Sequence, residues 1–124
     1  MMIYHITTLE AWDAAEQSGG YTAESLDTEG FIHMSTADQV LRVANFIYKG
    51  REDLILLQIN PDKLDADLKW EDPAHPNPDE PIETKDAELF PHLYGFLNLE
   101  AVEDTINFPC NDDGTFNLPP ELKS

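Results

Sequence analysis

The segment EGFIHMST, from Glu29 to Thr36, joins a short apolar strand directly to the start of a helix. Residues 31–34 are apolar or aromatic apart from His33, which favours a strand. A hydroxyl from Ser35 or Thr36 is a typical cap for the helix that follows. An apolar strand that ends in an ionisable group and two hydroxyls indicates a site. We therefore predict that this segment presents His33, Ser35 and Thr36 at the mouth of a pocket.

Two main helices are predicted, one on each side of this segment. The first covers residues 8–18, with a capping box of Thr7 and Glu10 before it and Gly19 after it. The second follows residue 36 and ends at Gly50, and its apolar residues recur at helical spacing. They are Val40, Val43, Ala44, Ile47 and Tyr48. The polar residues 21–29 between the helices are predicted to form a loop with one short helical turn.

Five to seven short strands account for most of the remaining chain. Residues 53–59 form the strongest, because they are apolar on both faces, as in a covered central strand. Weaker strands are predicted at 2–6, 68–71, 96–99 and 101–108. Pro91 cannot donate to a ladder, so residues 88–95 are predicted to form an edge or a bend. The Pro-rich residues 72–81 are predicted as a surface loop, followed by an edge strand at 82–84.

These elements predict a small α+β domain. A chain of 124 residues suits a single domain, 1–124. Its core is predicted to cover about 2–108, and residues 109–124 are predicted to form an irregular C-terminal tail. Cys110 is the only cysteine, so it cannot form an internal disulfide, and it is interpreted as an ordinary residue of this tail.

The charge of the chain is strongly negative. Lys and Arg number 7 against 25 Asp and Glu, which gives a formal net charge of −18. Such a field repels phosphate backbones and anionic membranes, so neither nucleic acid nor membrane is expected as a partner. The sequence also lacks a signal-peptide pattern and a membrane-spanning apolar run, which predicts a cytoplasmic protein.

Three of the four histidines lie at or near predicted strand ends, with a hydroxyl or phenol two residues later. The pairs are His5 with Thr7, His33 with Ser35, and His92 with Tyr94. Because residues i and i+2 of a strand face the same side, each pair offers a donor and an acceptor to one face. We predict that the pairs converge on a pocket, which has the aromatic walls Trp12, Phe31, Trp70, Phe90 and Tyr94. The alternative for any one histidine is a packed side chain bonded to a backbone carbonyl.

Several chemistries suit such a pocket. Three imidazoles could bind zinc and leave its fourth position open, although no two of them have the short spacing common in histidine-rich sites. Ser35 could act as a nucleophile with His92 or His5 as its base, although no nucleophile-elbow motif is present. No glycine-rich phosphate loop occurs, so a nucleotide would bind without one. His75, in the Pro-rich segment, is interpreted as a surface residue.

Several motifs in combination resemble a known bacterial family. These are IYHIT at 3–7, GFIHMST at 30–36, WE at 70–71 and FPHLYG at 90–95. They resemble the family called domain of unknown function 952, and the resemblance extends from residue 3 to about 108. That family is similar, more distantly, to the ADP-ribosyltransferase-like fold, in which a split pair of β-sheets surrounds a cleft for NAD.

The resemblance implies roles for the histidine pairs. His5 and Thr7 match the first-strand histidine and hydroxyl that hold a ribose, and His33 with Ser35 matches the second-strand element. His92 or Tyr94 stands at the third position, where these enzymes often have a glutamate. The RNA 2′-phosphotransferase branch of the fold relies on arginines that are not found here. The only arginines are Arg42 and Arg51, on or after the second helix.

The leading hypothesis is therefore a pocket that binds, or processes, NAD or a related nucleotide. The predicted catalytic residues are His33, His92 and Ser35. The predicted ligand-binding residues are His5, Thr7, Thr36, Trp70 and Tyr94, and no residue is assigned to a metal. The alternative is a small-molecule binding or interaction module without catalysis, and the third hypothesis is a histidine-bound metal hydrolase. The sequence leaves the acceptor substrate and the oligomeric state open.

Overall fold

Three helices and eight strands follow one another in residues 2–71 and 89–122, the parts of the chain that this computed structural model describes. The helices are α1 (Leu9–Ser18), α2 (Glu24–Glu29) and α3 (Ala37–Ile47). The strands are β1 (Ile3–Thr8), β2 (Gly20–Tyr21), β3 (Ile32–His33), β4 (Leu54–Ile59), β5 (Asp67–Glu71), β6 (Phe90–Tyr94), β7 (Leu97–Asn98) and β8 (Val102–Asn107). Short 3-10 helices cover Pro61–Lys63, Leu99–Ala101 and Pro120–Leu122. The predicted α+β class is confirmed.

The helices differ from the prediction in number and in one cap. A third helix, α2, replaces the expected loop with one short turn. Thr8 rather than Thr7 caps α1, because the Thr7 hydroxyl instead lies 2.8 Å from the hydroxyl of Tyr21. At the start of α3 the Thr36 amide donates to Gln39 Oε1 at 3.0 Å, as the predicted capping box requires. No helix in the described ranges is long and apolar enough to cross a membrane.

The strands form antiparallel sheets with the orders β1-β4-β8, β2-β7 and β3-β6-β5 in the described residues. Within the part of the chain that the structure describes, the first and third sheets meet at one bridge, between Tyr4 and Ser35. The Tyr4 amide donates to the Ser35 carbonyl at 2.7 Å, and the Ser35 amide donates to the Tyr4 carbonyl at 2.8 Å. From this bridge to its end at Thr8, β1 pairs with β4 and with no residue of the segment 29–34. A cleft therefore opens between β1 and β3.

The prediction that Pro91 marks an edge or a bend is wrong. Strand β6 is the central strand of its sheet, with β3 on one side and β5 on the other. The Pro91 carbonyl points towards the β3 side of the sheet, where it accepts from the Met34 amide at 3.0 Å. In an antiparallel ladder the N–H of a residue points to the same side as its carbonyl, so the donor that proline lacks would also have faced β3. Because β3 ends at His33, the missing donor lies beyond the last residue pair of that ladder. The proline is therefore tolerated inside the sheet.

Strand β4 separates two hydrophobic clusters. Leu56 is fully buried in one cluster, with Val40 of α3 and Phe108. Leu57 is fully buried in the other, with Trp12 of α1. Burial of each leucine stabilises the fold by about 1.5–3 kcal/mol relative to an exposed side chain. Both faces of this strand are covered, as its continuous apolar run predicted.

The C-terminal segment takes part in the core. Phe116 is buried and stacks on Phe108 with ring centroids 4.8 Å apart, and Leu122 is buried in the same cluster. The Gly50 amide donates to the Gly114 carbonyl at 2.8 Å and attaches the segment to the turn that follows α3. The core therefore extends beyond the predicted limit near residue 108. The predicted features at 72–84, with His75, lie outside the described residues.

Candidate functional site

A cavity of about 370 Å³ occupies the cleft between β1 and β3. Five of the residues predicted for the site line it, and they are His5, Thr7, His33, Ser35 and His92. Strand β1 contributes the first two, and β3 with the segment after it contributes the next two. Strand β6 contributes His92. The split between the two sheets is thus what brings three histidines, distant in sequence, to a single concave surface.

A chain of hydrogen bonds fixes His5 at the floor of this cavity. His5 Nδ1 lies 2.6 Å from the backbone carbonyl of His33, and His5 Nε2 lies 2.8 Å from the Tyr21 hydroxyl. The same hydroxyl lies 2.8 Å from Thr7 Oγ1. Burial lowers the pKa of His5 to about 4, although the hydrogen bond to the His33 carbonyl opposes this change. His5 is therefore neutral at pH 7.

The neutrality of His5 sets the direction of every hydrogen bond in this chain. A carbonyl oxygen only accepts, so the single proton of His5 lies on Nδ1 and is donated to the His33 carbonyl. The Nε2 lone pair then accepts from the Tyr21 hydroxyl. Since that hydroxyl proton is used, Thr7 Oγ1 donates to the Tyr21 oxygen. Thr7 therefore keeps only lone pairs for the cavity.

His33 and His92 are direct neighbours across the β3–β6 ladder. Their ring centroids lie 5.6 Å apart, with the rings nearly perpendicular. Phe31 stacks on His92 at 4.1 Å and contacts the edge of His33 at 4.9 Å, so the two imidazoles share one aromatic support. Glu29 Oε2 accepts from His33 Nε2 at 2.8 Å. This exposed pair forms part of the cavity mouth.

A carboxylate from β5 orients His92. Glu71 Oε1 lies 3.0 Å from His92 Nδ1 and also accepts from the Tyr94 hydroxyl at 2.5 Å. These two hydrogen bonds, with that of Tyr94 the stronger, lower the pKa of Glu71. Burial lowers the pKa of His92 despite this partner. His92 therefore carries its proton on Nδ1, and no residue in the described ranges bonds its Nε2, which is free to act as a base towards the cavity.

Replacing Glu71 by glutamine is expected to lower the pKa of His92 further. The amide keeps the shape and one acceptor oxygen, but it removes the negative charge that favours the imidazolium. An NMR titration of the His92 ring measures this change directly. Glu103→Gln is the matched control. Glu103 lies on β8, forms an ion pair with Lys63 and does not contact His92. An unchanged or higher pKa of His92 in Glu71→Gln contradicts the assigned hydrogen bond.

Three residues predicted for ligand binding do not line the cavity. Thr36 caps α3. Tyr94 lies on the same sheet face as His92, but its hydroxyl is bonded to Glu71. Lys69 pairs with His92, and the next residue, Trp70, pairs with Pro91. Because successive side chains of a strand alternate between faces, Trp70 projects from the sheet face opposite to that of His92. Of the five predicted aromatic walls, only Phe90 lines the cavity.

Three further residues complete the site and are not predicted from sequence, namely Tyr21, Glu29 and Glu71. Glu29 had a local signal, because it precedes His33 by four residues in the same segment. Tyr21 and Glu71 had none, because each reaches its histidine across at least 16 residues of sequence. Such contacts depend on strand register, which no local pattern records. Within residues 2–71 and 89–122, there is no cluster of three or more His, Cys, Asp or Glu side chains that could hold a metal ion.

The fold and the cavity together define a small mixed α+β protein with three helices and several antiparallel sheets in its described parts. The chain belongs to the family described as "Protein of unknown function (DUF952)", whose sequence profile matches residues 6–105. The resemblance to this family that the sequence motifs indicated is confirmed. No curated protein matches the chain.

Three solved structures of one bacterial protein are similar to this chain. The crystal structure of protein CC0527 from Caulobacter crescentus is similar to this chain with 29% identity and a TM-score of 0.82, over 100% of both chains. A crystal structure of a double mutant of CC0527, also from Caulobacter crescentus, gives 28% identity and the same score and coverage. Its solution NMR structure gives 26% identity and a TM-score of 0.69, over 98% of this chain and 97% of the other.

Proposed function

We propose that the cavity binds NAD or a related nucleotide, in the manner of an ADP-ribosyltransferase-like cleft. The observation that carries this proposal is the convergence of His5, His33 and His92 with the Thr7 and Ser35 hydroxyls on one cavity. Imidazoles and hydroxyls in fixed orientations suit the vicinal hydroxyls of a ribose. The aromatic rings of Tyr4 and Phe90, which also line the cavity, suit a planar heterocycle.

The size of the cavity favours one end of a dinucleotide over the whole molecule. Pockets for small ligands range from about 300 to 1,000 Å³, and this cavity of about 370 Å³ is near the lower limit. A ring with its attached ribose fits this volume. The remainder of a dinucleotide would extend through the mouth, past Glu29. In this arrangement the half of the ligand inside the cavity lies beside His92, whose Nε2 has no bond within the described residues.

A binding module without catalysis is the second candidate function. In the proposed comparison, His92 or Tyr94 stands at the third strand position, where ADP-ribosyltransferase-like enzymes often have a glutamate, and of the two only His92 lines the cavity. The Glu71 carboxylate lies behind His92 Nδ1 and does not line the cavity. His92 Nε2 can take a proton from an attacking hydroxyl, whereas a ligand that only binds needs no such base. Release of free nicotinamide from the bound ligand distinguishes an enzyme from a binding module.

Calorimetry on the purified protein tests the proposal with NAD, nicotinamide mononucleotide and nicotinamide riboside. We expect wild type to bind at least one of them, and His33→Ala to bind it about tenfold more weakly, since a hydrogen bond of an ionisable group is lost. Trp70→Phe is the control, because Trp70 lies on the opposite sheet face. If none of the three ligands gives heat with wild type at millimolar concentration, the proposed function is wrong.

A further inference from the structure

The polar atoms that face the cavity mostly accept hydrogen bonds. His92 Nε2 presents a lone pair and can only accept a hydrogen bond, because the ring proton lies on Nδ1 and is donated to Glu71. Thr7 Oγ1 also offers lone pairs only, because its proton is donated to Tyr21. Ser35 is buried, lines the cavity, and has a hydroxyl that no residue in the described ranges bonds, so it can adapt to either role. A ligand that donates hydrogen bonds therefore fits this surface best.

The charged residues at the cavity disfavour an anionic ligand. Two carboxylates line it, those of Glu24 and Glu29. Among the described lining residues, Arg51 is the only lysine or arginine. Its Nε and Nη2 donate to the two carboxylate oxygens of Asp53 at 2.9 and 2.8 Å, so this cation is already paired with a carboxylate. With a formal net charge of −18 on the whole chain, the cavity lies in a negative field.

We infer that the cavity selects a nucleoside without a phosphate, a cationic and hydroxyl-rich ligand of the nicotinamide riboside class, over its phosphorylated forms. This inference rests on the proposed function and specifies its ligand. The vicinal hydroxyls of the ribose donate to His92 Nε2 and Thr7 Oγ1, and the positive pyridinium ring lies in the field of Glu24 and Glu29. A phosphate at the same place would meet the carboxylates of Glu24 and Glu29 and mostly acceptor atoms, with Arg51 already paired to Asp53, whereas phosphate sites provide several donors and cations.

The inference predicts an order of affinities that is the reverse of the one expected for a dinucleotide site. Nicotinamide riboside should bind at least about tenfold more tightly than nicotinamide mononucleotide, because the Glu29 carboxylate repels the negative phosphate of the mononucleotide. NAD should be weaker than the riboside as well. Because the carboxylates lie at an exposed mouth, this preference should shrink as the salt concentration rises.

Calorimetry with the three ligands at low and high salt tests the order, and two variants test its cause. In Glu29→Gln, the ratio of riboside to mononucleotide affinity should fall about threefold or more, since one carboxylate at the mouth is removed. Glu16→Gln removes the same charge from the exposed surface of α1, outside the cavity lining, and should leave the ratio unchanged.

Each outcome separates the inference from the proposal on which it rests. A riboside preference that falls in Glu29→Gln but not in Glu16→Gln supports the inference. Tighter binding of the mononucleotide or of NAD overturns it and leaves the proposed function standing. An equal loss of preference in both variants also overturns it, because net charge would then act without the cavity. Binding of none of the ligands overturns both.

Discussion

Replacing Gly95 by alanine is expected to reduce the free energy of unfolding by about 4 kcal/mol, the sum of backbone strain and overpacking. Gly95 follows β6 with a φ of +155°, a conformation that residues with a side chain rarely adopt. A β-carbon at this position would also lie 2.7 Å from Ala66 Cβ, closer than real β-carbons approach their neighbours. Because Ala66 packs against the first hydrophobic cluster, it has little freedom to move away.

The matched control for Gly95 is Gly30→Ala, measured by the same urea denaturation. Gly30 ends α2 with a φ of +87°, but no atom lies within 4 Å of its β-carbon position. This substitution therefore tests positive φ alone and is expected to cost about 1 kcal/mol. Similar small losses in the two variants would show that the contact between Gly95 and Ala66 does not constrain the fold.

Acidification from pH 7.5 to pH 5 is expected to reduce the free energy of unfolding through His5 by about 2 kcal/mol. The pKa of His5 is about 4 in the folded protein and 6.5 in an unfolded chain. The unfolded state thus binds more protons between these values. The contribution of His5 to stability is complete above pH 6.5 and is lost as the pH falls towards 4, where the loss reaches about 3 kcal/mol.

The variant His5→Asn isolates this contribution. Its amide can still donate to the His33 carbonyl, but it does not titrate. The variant is expected to be less stable at pH 7.5, because Tyr21 loses its Nε2 acceptor, and its stability should change less with pH than that of wild type. Urea denaturation at several pH values measures both slopes, while His92 remains in both proteins. Equal slopes would mean that His5 is not held neutral.

Much of the secondary structure was readable from sequence because its signals are local. Thr36 and Gln39 lie three residues apart and form the predicted capping box of α3. The continuous apolar run of β4 predicted a strand covered on both faces, and both faces are buried. Sequence alone does not place Pro91 correctly, because its effect depends on where β3 ends, and β3 lies 58 or more residues earlier in the chain. Local rules identified the elements but not their neighbours.

The candidate site was predictable to the same extent. The i, i+2 spacing placed His5 with Thr7 and His33 with Ser35 on shared faces, and all four line the cavity. The same spacing placed Tyr94 beside His92, but Glu71 binds its hydroxyl from the neighbouring strand. Trp70 is an aromatic near the predicted pocket, but a single-residue change of register decides its sheet face, and its pairing with Pro91 places it away from His92. Residues held by cross-strand partners are those that sequence alone misplaces.

The pairing of distant strands has a consequence for how the polypeptide acquires its structure. In the described residues, β1 pairs with β4 at a separation of 46 or more positions, and β4 then pairs with β8 near residue 107. None of these ladders is a tight hairpin, so loop-closure entropy opposes each one before its contacts form. Folding in milliseconds to seconds is therefore expected, as for other domains of non-local topology. During synthesis, the β1-β4-β8 sheet cannot be completed until about residue 107 has left the ribosome. Until then the apolar strand β4 lacks its partner β8.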